Sequence, residues 1–138
     1  MKILLIRFSS IGDLVLTTPI IRCLKQQLPN VELHLITKSS FRSVIANNPY
    51  IDQCHFFEHH VEDVIPTLKD AKFDLVIDLH KNLRSLKVKK ALKVKSLSFQ
   101  KLNISKWLLV NFKINILPDK SIVDRYFEAI ASLGVKND

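Results

Sequence analysis

Glycine and cysteine are scarce in this 138-residue sequence, and one long stretch has no acid at all. The two cysteines, Cys23 and Cys54, are too few for a disulfide framework and lack C-x-x-C spacing. Both are expected to be reduced and buried in a cytosolic chain, and neither has a sequence neighbour that would activate it. The only glycines are Gly12 and Gly134. There is no G-x-G-x-x-G and no G-x-x-x-x-G-K-[ST], so a dinucleotide or Walker-type cradle is not expected. No apolar run approaches the roughly 18 residues of a membrane span. The first run, Ile3 to Ile6, stops at Arg7 without a small-residue cleavage site, so it reads as a buried strand rather than a signal peptide.

The missing acid lies between Asp78 and Asp119. That stretch carries Lys81, Arg84, Lys87, Lys89, Lys90, Lys93, Lys95, Lys101, Lys106 and Lys113, in a chain of formal net charge +8. Such asymmetry fits an anionic partner, and it equally fits a solvated basic face.

What the sequence does have is a core. Hydrophobic residues make up 47% of it, enough for one folded domain over 1–138 without staples. Strands are expected at 2–7, 31–37, 53–57, 74–79 and 94–99. In the second, Val31, Leu33 and Leu35 alternate with Glu32 and His34, which predicts one less buried face.

Helices are expected at 14–28, 61–71, 83–92, 103–111 and 120–133. Pro19 belongs in a first turn, so the first regular helix should begin near Thr17 or Thr18, either of which can cap it. Gly134 is a stop signal, and four residues follow it, so no further folded element is expected. Alternating strands and helices predict a Rossmann-like α/β fold, a parallel sheet with helices on both faces.

Ligands bind at the carboxyl ends of the strands in such sheets. Three loops qualify: Phe8 to Asp13, Lys38-Ser39-Ser40, and His80 to Arg84. In the first, Gly12 suits a tight turn or a close ligand approach, and Ser9 and Ser10 offer hydroxyls and N–H groups. Asp13 fits a general base at the ligand edge, and it fits a plain helix cap. In the third, Arg84 offers a planar fork and Lys81 a point charge for phosphate or carboxylate, or both simply flank a helix start. His59 and His60, beside Glu58 and Glu62, lack metal-ligand spacing and read as an exposed loop. Trp107 reads as core or interface.

The opening KILLIRFSSIGDLVLTTPIIRCLKQQLPN resembles the start of the heptosyltransferases of glycosyltransferase family 9, which build the lipopolysaccharide core. The matching positions are Arg7, Ser9, Ser10, Gly12, Asp13, Thr17, Pro19 and Leu24. NPYID at 48–52, DLVIDLHKNLRS at 74–85 and DRYFEAIASLG at 124–134 extend the resemblance over nearly the whole chain.

The resemblance implies one half of a GT-B fold, the N-terminal acceptor-binding domain, in a truncated product or fragment that lacks the C-terminal donor domain. It implies Asp13 as the catalytic base of an inverting transfer. Ser9, Ser10, Gly12, Lys81 and Arg84 would bind the acceptor, a lipopolysaccharide core bearing negative Kdo sugars and phosphates. The donor, ADP-heptose, would need the missing domain, so this chain alone should not turn over. No metal or cofactor is implied. The expected location is cytoplasmic, with possible peripheral contact of the basic region with the inner membrane.

Two other classes compete. A non-catalytic module binding nucleic acid would use the basic stretch, but that stretch has few aromatics and no recognised motif. A remnant that pairs with another chain would bury the apolar wall of a lost cleft.

Overall fold

The computed structural model describes residues 1–8, 11–98 and 122–136. The expected helix at 103–111, Trp107, Ser9 and Ser10 lie outside the described residues. Five parallel strands form one sheet in the order β3-β2-β1-β4-β5. They are β1 (Lys2–Ile6), β2 (Glu32–Lys38), β3 (Gln53–Phe57), β4 (Leu75–Asp78) and β5 (Lys95–Ser98). The order reverses at β1, which pairs with both β2 and β4. The carboxyl ends of β1 and β4 therefore frame the crevice where a doubly wound sheet takes its ligands.

Alternate residues of the strands feed two cores. On one face Ile3, Leu5, Leu33, Leu35 and Ile77 pack against α2 (Thr18–Gln27), through Ile21 and Leu24, and α6 (Ile122–Ala129), through Tyr126 and Phe127. On the other, Leu4, Ile6, Ile36 and Val76 meet Leu68 of α4 (Ile65–Ala71) and Val88 of α5 (Leu83–Leu92). The Rossmann-like sheet with helices on both faces is thus the fold expected from the alternation.

Several boundaries differ from expectation for identifiable reasons. β2 has no solvated face: Leu33 to Thr37 are all buried, because β2 lies inside the sheet and is covered from both sides. His34, expected on the wetter face, is only 2% exposed. It is satisfied by Glu32 Oε2 at 2.5 Å from Nε2 and by His55 Nε2 at 2.9 Å from Nδ1.

The expected 14–28 helix is two helices, α1 (Ile11–Leu16) and α2, with Pro19 in the first turn of α2. Thr17 does not cap with its side chain; its hydroxyl donates to Leu14 O at 2.6 Å. At 61–71 a 3-10 turn, Val61–Val64, precedes α4, since Pro66 removes a donor and belongs at a helix start. The C-terminal helix stops at Ala129, and a 3-10 turn leads to Gly134 at φ +78, the left-handed stop expected of that glycine. A short helix, α3 (Arg42–Ile45), follows β2 and a 3-10 turn.

Candidate active site

Arg7 follows β1 directly, its N–H still donating to Ile36 O at 3.3 Å, and its side chain is only 12% exposed. Its guanidinium makes two contacts. Nη2 donates to Asp13 Oδ2 at 2.7 Å, and Nη1 donates to the carbonyl of Leu79 at 2.8 Å. Asp13 sits in the first turn of α1 with its carboxylate partly open to solvent. Arg7 thus ties the Asp13 loop to the loop after β4. The geometry settles one alternative: Asp13 is inside a helix and ion-paired, not at the cap position preceding it.

Gly12 is also helical and has no left-handed φ, so a tight turn is not its purpose. Among the described residues, a Cβ at Gly12 would meet nothing within 4 Å, so the space beside this glycine is open. The loop after β1 is further anchored by Thr37, whose hydroxyl donates to Phe8 O at 3.1 Å. Phe8 packs edge-on against Phe57 at 5.1 Å and lies 5.0 Å from the His80 ring.

The loop after β4 is organised by Asp78, a residue the sequence reading treated only as part of a strand. Its side chain is fully buried. Oδ1 accepts N–H bonds from His80 at 2.9 Å and Lys81 at 2.7 Å. Oδ2 accepts from the Ser85 hydroxyl at 2.7 Å and pairs with Lys89 Nζ at 2.9 Å. Burial opposes ionisation of this carboxyl. The Lys81 N–H, Lys89, Ser85 and the His80 N–H outweigh it and hold the pKa below the usual carboxylate range.

The same knot holds Lys81 at φ +56, a left-handed conformation that costs a non-glycine residue about 1 kcal/mol. Asn82 then caps α5 reciprocally with Ser85. The signal for this knot was present as an acid at the end of an apolar strand followed by N-x-x-S.

Lys81 is half-buried at the loop, and Arg84 is exposed in the first turn of α5. The Arg7–Leu79 bond brings the Asp13 and Lys81 loops together; Arg84 remains on the outer side of its helix start. Tyr126 of α6, 1% exposed, completes the underside of the site. Burial raises its pKa; Arg7 opposes the rise and Asp13 adds to it, so both charges are within electrostatic reach of the phenol. The sequence placed Tyr126 only on a buried helix face.

Other candidates fall away from this edge. His59 and His60 are exposed, as expected. Cys23 is buried, but Cys54 is only half-buried, in a strand at the sheet's edge, so the expectation of two buried thiols holds for one. Among the described residues no group of three or more His, Cys, Asp or Glu could hold a metal ion, and no helix is long and apolar enough to cross a membrane.

No family model matches the chain. It is 25% identical over 135 residues to lipopolysaccharide heptosyltransferase 1 of Campylobacter coli, a match covering 91% of this chain and 40% of that protein. The glycosyltransferase family 9 structure from Veillonella parvula superposes with a TM-score of 0.71 at 20% identity, covering 99% of this chain and 42% of that one. The chain is thus similar to heptosyltransferases over nearly its whole length.

Escherichia coli heptosyltransferase WaaC with ADP gives the same TM-score, 0.71, at 19% identity, over 100% of this chain and 48% of WaaC. This chain therefore spans less than half the length of these relatives. Its Rossmann-like sheet corresponds to one half of their GT-B architecture.

Proposed function

We propose that this chain is the N-terminal, acceptor-binding half of a heptosyltransferase-like, inverting glycosyltransferase, with Asp13 as its general base. One observation carries the assignment. A carboxylate ion-paired to a largely buried arginine stands at the crevice edge of the sheet, beside space that is open at Gly12 among the described residues.

In the reaction proposed, an acceptor hydroxyl oxygen attacks the anomeric carbon of the nucleotide-bound sugar. The bond from that carbon to the diphosphate oxygen breaks, and its electron pair leaves with the nucleotide diphosphate. The hydroxyl proton passes to Asp13. Attack from the face opposite the leaving group inverts the anomeric centre. A base so placed contributes about 10²–10⁴-fold.

Arg7 holds Oδ2 so that the carboxylate does not turn away from the acceptor. In this reading Ser9, Ser10 and Gly12 belong to the acceptor-binding loop, and Lys81 and Arg84 pair with the acceptor's negative groups. A lipopolysaccharide core, with its acidic sugars and phosphates, is the acceptor class that suits those cations. The donor, ADP-heptose, is held by a second domain.

The solvent face of α5 supports a peripheral position on the cytoplasmic side of the inner membrane. Arg84, Lys87, Lys90 and Lys93 are exposed there, together with Leu83 (78%) and Leu86 (40%). Cations interleaved with exposed leucines suit an anionic lipid surface, where each cation adds about 1 kcal/mol.

Calorimetric titration of this chain with ADP and with a Kdo-bearing core fragment tests the assignment to the acceptor side. Binding of the fragment with no detectable ADP binding is expected. ADP binding tighter than the fragment would assign the chain to the donor side instead.

A further inference from the structure

α4 ends just before β4 begins, and α5 just before β5 begins. The strands are parallel, so both helix ends lie at the amino edge of the sheet, opposite the crevice at Asp13. A cavity of about 360 Å³ opens between them. Leu68 and Lys69 line it from α4, Lys72 and Phe73 from the turn that follows, and Ala91, Leu92 and Val94 from the end of α5. The volume lies near the lower end of the range of small-molecule sites, about 300–1,000 Å³. No residue considered for catalysis or for the acceptor lines it.

The floor of this cavity is unfinished core. Leu68 and Phe73 belong to the buried cluster between the sheet, α4 and α5, and Leu92 and Val94 are only partly covered against it. The lining side chains include no hydroxyl, amide or carboxyl group. A ligand with polar groups along its length would leave them without hydrogen bonds here, whereas a hydrocarbon chain gains by burial.

The only polar side-chain groups in the lining are two ammonium groups, on Lys69 and Lys72. Both residues are exposed, and among the described residues neither makes an ion pair. The nearby acids Asp70 and Asp74 line a separate cavity with Lys2 and Glu32, and Lys72 stands at the border of the two. Lys69 also lies in the last turn of α4, where a cation suits the helix end. That accounts for one charge and for none of the uncovered apolar surface. Two cations on the rim of an acid-free apolar cavity complement one negative head on one hydrocarbon tail.

We propose that this cavity binds a free medium-chain fatty acid. Its tail lies against Leu68, Phe73 and Leu92, and its carboxylate sits between Lys69 and Lys72. The site is at the far edge of the sheet from Asp13, so it stands whether or not the chain is half of a transferase.

The test is methyl NMR titration of the chain with monomeric decanoate, against 1-decanol and decyltrimethylammonium as its neutral and cationic counterparts. Saturable shifts at Leu68, Ala91, Leu92 and Val94 with decanoate are expected. The alcohol should bind about tenfold more weakly, the loss typical of one charge-assisted hydrogen bond. Lys69→Gln with Lys72→Gln, both on the surface, should bring decanoate to the level of the alcohol. Ala91→Leu suits a helix and fills the cavity, so it should weaken both. Decanoate should raise the Tm of the parent and not of the Ala91→Leu chain.

Equal binding of the alcohol or of the cationic amphiphile would overturn the carboxylate assignment. Shifts centred on Leu83 and Leu86, the exposed leucines of α5, would overturn the cavity in favour of adsorption to that face. Cavity shifts from phosphatidylglycerol vesicles, with none from monomeric decanoate, would overturn the free acid in favour of a membrane lipid. No shift at millimolar decanoate would remove the site.

Discussion

Lowering the pH from 7.5 to 5.0 should remove about 2 kcal/mol of folding stability through one side chain, His55. His55 is 6% exposed in β3 and stacks on His34 of β2 with ring centroids 5.1 Å apart. Phe73 closes both rings edge-on. His34 Nε2 is hydrogen-bonded to Glu32, and its Nδ1 meets His55 Nε2 at 2.9 Å.

Burial, and then the His34 ring, push the His55 pKa from 6.5 down to about 4. Between those values the unfolded chain holds a proton that the folded chain refuses, so stability falls as pH drops through the window. The full gap of about 2.5 units corresponds to about 3 kcal/mol, and roughly two-thirds of it is reached by pH 5. The carboxylates Asp52 and Asp78, both held below their ordinary pKa, lose their contribution only as pH falls below about 4, outside this window.

Urea unfolding followed by circular dichroism at half-unit pH steps measures the loss, and His55→Gln should flatten it. NMR titration of the His55 ring reads the pKa independently of any variant. A wild-type stability level from pH 7.5 to 5.0, or a ring titrating near 6.5, would refute the reasoning.

Three other outcomes follow from the site. Asp78→Ala should destabilise by about 3 kcal/mol in urea, because it takes the acceptor from a half-buried Lys89, the buried Ser85 hydroxyl and two part-buried N–H donors. Arg7→Met should leave the chain folded by circular dichroism. In a chain completed with a donor half it should lower kcat about tenfold or more, with the donor KM unchanged, since the arginine only positions Asp13. Co-sedimentation with phosphatidylglycerol vesicles should be strong in low salt and lost at about 0.5 M, and Arg84→Glu with Lys90→Glu should abolish it; retention by neutral vesicles would contradict the α5 assignment.

Much of this was legible in the sequence because it is written in short periods. The run at Ile3 to Ile6, the strand at 53–57 and the helix at 83–92 appear where their patterns put them. β2 was misread on one face because alternation assumes that polar residues meet water. His34 instead finds Glu32 and His55, partners supplied by strand pairing that no local pattern encodes. Pro19 marked the start of α2 at Thr18; the short α1 before it was not told apart, because Leu14 and Leu24 read as one apolar stripe.

At the site, Asp13 was visible through its loop and its motif. Its ion pair with Arg7 was not, because a strand end and a helix turn meet there only once the chain has folded. Asp78 and Tyr126 were hidden the same way. An acid in an apolar strand and an aromatic on a helix face show their roles only when a second loop arrives beside them.

The most direct test joins this domain to the donor half of a heptosyltransferase and compares sugar transfer by Asp13→Asn with the parent. The substitution keeps the shape and removes the proton acceptor. The account predicts a kcat lower by about 10²–10⁴-fold, with acceptor and donor binding retained. Transfer within a few-fold of the parent would contradict it.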